Sequence, residues 1–159
     1  MNIWVDADAC PVSIKEVIIK AAVRRKVPAV FVANKDTALP QSPLLTAVKV
    51  AAGADEADRY IDEQAQPEDL VVTQDILLAQ LLVARSVTAI DPRGVVFCED
   101  NINERVSFRA LMVDLRSTGD VTGGQKPFNE VDKRNFSNSF DKQLTRLIRL
   151  SGHDQQHPL

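Results

Sequence analysis

The 159-residue sequence is short of several residue types, and each scarcity excludes a class of function. Histidine occurs only as His153 and His157, both in the polar end "SGHDQQHPL", so the body of the chain offers neither a histidine base nor a histidine metal cage. Cysteine also occurs twice, as Cys10 and Cys98, with no C-x-x-C pair; this argues against a disulfide framework and a zinc ribbon and for reduced thiols. Cys10, lacking a histidine partner, reads as a small buried side chain rather than a nucleophile. Aromatic residues make up 5% of the chain, so base stacking is not expected to be the main mode of any nucleic-acid binding. No apolar run approaches the ~18 residues of a membrane span, and the start lacks a basic-then-apolar leader. A cytoplasmic protein with no membrane partner is expected.

What is present fits one domain of ordinary size. A hydrophobic content of 45% can fill a sizeable core, and the reading is a single domain over 1–150 followed by a flexible tail at 151–159. The net charge of −3 is unevenly spread: residues 1–100 hold 10 Lys/Arg against 15 Asp/Glu, and residues 101–152 hold 9 against 6. An acidic front and a basic back suit a metal-binding cluster beside a phosphate-binding surface.

Short apolar runs read as strands: "NIWV", "AVFVA", "AVKVA", "DLVVT", "VTAI" and "GVVF". Their nearly continuous apolarity is that of a parallel sheet covered on both faces. Between them lie helical patterns: one after Pro11, one over about 55–64, and one in "QDILLAQLLVAR". Two more follow, over about 99–118 and 132–150, joined by the loop "STGDVTGGQKPF". The last places Phe136, Phe140, Leu144 and Ile148 on one core-facing stripe. The alternation predicts an α/β fold, a three-layer αβα sandwich with a mainly parallel sheet.

Aspartates recur where such sheets carry function, at the carboxyl ends of strands. "VDADAC" supplies Asp6 and Asp8, "GADEAD" supplies Asp55 and Asp58 at a helix start, "VVTQD" supplies Asp75, and "TAID" supplies Asp91. Asp55, Asp58 and Asp75 also fit plain helix-start roles, and Asp91 before Pro92 fits a turn. Converging carboxylates repel one another unless a cation neutralises them, and all-oxygen ligation suits Mg²⁺ or Mn²⁺. Such a centre is suited to metal-assisted phosphodiester hydrolysis. On the basic side, Arg105, Arg109 and Arg116 fall within about 40° of one another on a helix, a row suited to phosphates or, equally, a solvated face paired to Glu104 or Asp114. Lys126 sits in a glycine loop that could approach a phosphate.

The ordered motifs "VDADACPV", "VAN", "GADEADRYI", "VVTQDILLA", "PRG", the arginines at 105–116 and "GGQKPF" resemble the YaiI/YqxD family of bacterial proteins over about residues 2–150. That family is similar to the PIN-like, or NYN, nuclease fold. The resemblance implies a Mg²⁺- or Mn²⁺-dependent ribonuclease acting on nucleic acid, RNA favoured. It implies Asp6, Asp8, Asp55, Asp58 and Asp75 as metal ligands, Asp6, Asp8 and Asp75 as catalytic, Asp91 as an assisting carboxylate and Thr73 as their polar neighbour. Arg93, from "PRG", joins Thr73, Arg105, Arg109, Arg116 and Lys126 as substrate-binding. "VDADAC" departs from a plain PIN strand end, which needs no second aspartate. Two rivals stand beside this reading. A strand followed by D-x-D also resembles the first motif of haloacid-dehalogenase-type phosphatases, with Asp6 as nucleophile, although Cys10 departs from that motif. A non-catalytic RNA-binding module is the other.

Overall fold

The computed structural model describes residues 1–53, 55–117 (the side chains of Arg116 and Ser117 excepted) and 127–152. Its frame is a five-stranded sheet: β1 (Ile3–Asp6), β2 (Ala29–Ala33), β3 (Leu45–Lys49), β4 (Leu70–Val72) and β5 (Thr88–Ile90), in the order β3-β2-β1-β4-β5 with every pairing parallel. Five helices accompany it: α1 (Val12–Arg25), α2 (Glu56–Gln64), α3 (Ile76–Ala84), α4 (Glu99–Ser117) and α5 (Glu130–Leu150).

The strands are apolar at nearly every position because alternate side chains enter two different cores. Ile3 and Val5 of β1, with Ala29, Phe31 and Ala33 of β2, pack under α1 and α5. Trp4, Val32, Val71 and Ala89 point the other way, toward Ile61 of α2, Leu78, Ala79 and Leu82 of α3, and Ile102 of α4. The result is the αβα sandwich that the alternation implied. The α5 stripe behaves as its spacing required: Phe136, Phe140, Leu144 and Ile148 are all buried, and Asn129 and Asp132 form a reciprocal cap at its start.

Two strands differ from expectation. The run "AVKVA" enters the sheet earlier, as Leu45–Lys49, because its partner β2 ends at Ala33, which pairs with Lys49. "GVVF" forms no further parallel strand; Val96 makes one antiparallel bridge to Ile90. Only a tight turn separates the two segments, and a parallel neighbour needs a crossover of a dozen or more residues. That turn is held by Asp91, whose Oδ1 accepts from the amides of Arg93 and Val95, both at 2.9 Å. Among the described residues no helix is long and apolar enough to cross a membrane.

Candidate active-site cleft

The chain leaves β1 toward β2 on one side, while β4 joins β1 on the other, so the sheet order reverses between β1 and β4. A crevice opens at the carboxyl end of such a switch point. Asp6 is the last residue of β1 and is 8% exposed. Its Oδ2 accepts a hydrogen bond from Thr73 Oγ1 at 3.1 Å, and that same oxygen of Thr73 accepts from the Asp75 amide at 3.0 Å. Thr73 is thus a buried bridge between the two strand ends rather than a surface contact for substrate. Asp75 caps α3, its Oδ1 accepting from the amides of Leu77 (2.8 Å) and Leu78 (3.0 Å). The first turn of α2 supplies Asp58, whose side chain shares a hydrogen bond with that of Asp75.

This contact sets the electrostatics. Burial is the largest influence on Asp58; the hydrogen bond and the charge of Asp75 add to it, with smaller pushes from Asp6 and Asp55, and its carboxyl is pushed up to about 8. Burial also pushes Asp75 upward. The hydrogen bond from Asp58, the two helix amides and the guanidinium of Arg109 outweigh it and leave Asp75 below the usual carboxylate range. The two carboxyls are driven in opposite directions, Asp58 up and Asp75 down, because two charges in contact repel. Asp6 is raised, first by burial and then by Asp75 and Asp8, against the lowering hydrogen bond from Thr73. The nearby Cys10 thiol is pushed up to about 12, mainly by burial, which makes it a poor nucleophile at neutral pH.

The five aspartates do not close into a single cage. Asp8 is exposed and its Oδ2 accepts from the Asn34 amide at 2.8 Å; Asp55 is exposed at the start of α2 with no capping bond from its side chain. Among the described residues no three acidic, histidine or cysteine groups stand close enough together to hold a metal ion. Two carboxylates in contact would still offer oxygen donors to a hard divalent ion. Mg²⁺ is commonly held by one or two carboxylates with water and phosphate completing the shell, and Asp58 and Asp75 are a contacting pair of carboxylates of that kind.

The opposite wall is α4. Arg105, Phe108, Arg109, Met112 and Val113 line a cleft of about 1140 Å³ together with Asp6, Asp8, Asp58 and Asp75. The arginines differ in what they are free to do. Arg105 Nη1 lies 3.1 Å from Asp91 Oδ2 and its guanidinium sits 5.3 Å from the centroid of Phe97. Arg93 pairs with Asp132 at 2.6 Å. Arg109 has no ion pair within 4 Å among the described residues, and its charge reaches Asp75. The pairing alternatives of Glu104 and Asp114 therefore do not describe Arg105, whose partner is Asp91. Asp91 in turn is a turn-former and an anchor for Arg105, buried by both roles. Lys126, His153 and His157 lie outside the described residues, as does the side chain of Arg116. Gln74, Phe108 and Phe128 also line the cleft, and nothing in their local sequence marked them.

The sequence profile of the uncharacterized BCR, YaiI/YqxD family matches residues 4–146. The chain belongs to the YaiI/YqxD family. Among its relatives, the UPF0178 protein of Myxococcus xanthus is 50% identical over 149 residues, covering 94% of this chain and 97% of that one. That of Syntrophobacter fumaroxidans is 47% identical over 153 residues, 96% of this chain and all of the relative. A Shewanella baltica UPF0178 protein is 46% identical over 146 residues, with coverage of 92% and 97%. No solved structure matches the chain.

Proposed function

We propose that this YaiI/YqxD-family protein is a Mg²⁺- or Mn²⁺-dependent phosphodiester hydrolase of the cytoplasm acting on nucleic acid, with RNA as the favoured substrate. The observation that supports it most is the contacting carboxylate pair Asp58–Asp75, set beside buried Asp6 in the same cleft as Arg109. The resemblance to PIN-like nucleases points the same way. Asp58 and Asp75 would hold the ion, with Asp6 behind them and Asp8 at the rim. A divalent ion held there would supply Lewis-acid stabilisation of a phosphoryl oxygen and of the leaving oxygen. Arg109 supplies a guanidinium fork for a substrate phosphate, and it is the cleft arginine not already engaged in an ion pair among the described residues. Arg105 and Arg93 hold the rim in place through Asp91 and Asp132 and add positive potential. Thr73 fixes the spacing of Asp6 and Asp75 by bonding to both.

The test is cleavage of labelled single- and double-stranded RNA and DNA in Mn²⁺, in Mg²⁺ and in chelator. Metal-dependent cutting is expected, lost by about 10²-fold or more in Asp75→Asn, with Arg109→Ala weakening substrate binding as well. Cutting that survives chelation, or equal cutting by Asp75→Asn, would overturn the proposal.

A further inference from the structure

The acidic end of the cleft and Arg109 leave one wall unexplained. Phe108 is 62% exposed, belongs to neither apolar core, and faces the cleft from the middle of α4. A second ring, Phe128, lines the same cleft from the segment before α5, with the Arg93 guanidinium 5.8 Å from its centroid. Along α4 the cleft-lining residues recur at helical spacing as Arg105, Phe108, Arg109, Met112 and Val113, so cationic and apolar groups interleave on one face.

That interleaving bears on what covers the face. A partner helix would require an unbroken apolar stripe, whereas Arg109 interrupts this one. A nucleic-acid strand alternates an anionic phosphate with a flat aromatic base, which is the complement of an arginine followed by a ring. In a duplex both faces of each base are stacked on neighbours, so a side-chain ring finds a partner only on an unpaired base. The cleft is larger than the roughly 300–1,000 Å³ typical of small-molecule sites, which leaves room for more than one nucleotide.

We propose that Phe108, assisted by Phe128, is a stacking platform for an unpaired base, and that the chain selects single-stranded nucleic acid whose adjacent phosphate is held by Arg109. This rests on the phosphodiesterase reading of the same cleft.

The experiment measures binding of a short labelled unstructured RNA, and of the same strand annealed to its complement, in chelator so that metal-dependent cutting does not intervene. Wild type is expected to prefer the single strand. Phe108→Ala should weaken single-strand binding by about 5- to 150-fold and leave duplex binding unchanged. Phe108→Trp should restore binding, with its fluorescence quenched by the stacked base. Because Phe108 is largely exposed, circular dichroism of each variant should match wild type. Equal affinity of wild type for both strands, or an unchanged Phe108→Ala, overturns the platform. So does a Phe108→Ala variant that binds normally but turns a dimer into a monomer in sedimentation, since the face would then meet a second copy. Cutting of the same strands in Mg²⁺ or Mn²⁺ separates the two readings. Stacking without cutting upholds the platform and refutes the hydrolase; cutting lost in Asp75→Asn but unaltered on both strands in Phe108→Ala does the reverse.

Discussion

Asp69 and Asp91 are buried more deeply than Asp6, and the fold uses every oxygen they offer. Asp69 accepts from the Asn2 amide, the Trp4 indole and the Gln66 amide, tying the starts of β1 and β4 together. Asp58 differs because its hydrogen-bond partner is another carboxylate. Its raised value has a defined consequence for stability. Between about pH 4 and pH 8 the folded protein holds a proton on Asp58 that the unfolded chain has released. Folding stability therefore falls as pH rises through that window, and levels off above it. Asp58→Asn, which keeps a donor toward Asp75 without the charge, should shrink that decline, leaving the part that belongs to the raised Asp6. Denaturant unfolding at pH 5, 7 and 9 checks this; parallel curves for wild type and variant would show that Asp58 is not raised.

At the scale of elements, the turn from β5 to α4 decides where the basic wall stands. Asp91 closes the turn with two amides and then grips Arg105 on α4, so one buried carboxylate orients the helix that faces the acidic strand ends. Gly94 completes the turn with φ of 94°, and a Cβ there would lie 2.6 Å from the backbone of Asn135 on α5. Gly94→Ala therefore meets both a disfavoured conformation and a backbone that cannot easily move. It should cost about 2–5 kcal/mol, read as a lowered denaturant midpoint, with reduced substrate affinity as α4 loses its seat.

For the whole molecule, the two cores share one sheet, so damage to the core remote from the cleft should be felt in the cleft. Phe136 and Phe140 stack at 5.2 Å in the core that also holds Ile3 and Val5 of β1, the strand whose last residue is Asp6. Phe140→Ala should cost about 3–5 kcal/mol and lower the Tm in one transition seen alike by far-ultraviolet dichroism and by Trp4 fluorescence. Two separate transitions would show that the layers unfold independently. The charge halves of the chain also meet at this scale: α4 of the basic half lies across the ends of β1 and β4 of the acidic half.

The sequence by itself determined the layers and every element except the strand expected at "GVVF" and the bounds of β3. The continuous apolarity of "NIWV" and "AVFVA" is satisfied by burial on both faces, and the Phe136–Phe140–Leu144–Ile148 spacing leaves α5 one way to pack. It also placed Asp6, Asp58 and Asp75 at the right edge, because parallel strands all end there. Only the tertiary structure decided which of those groups act on each other. Local spacing could not reveal that Asp58 meets Asp75, that Asp8 turns to Asn34, or that Arg105 is held by Asp91, since each contact joins separate elements. Phe108 was invisible for the same reason: an aromatic residue on an amphipathic helix reads as core until the packing shows no core on that side.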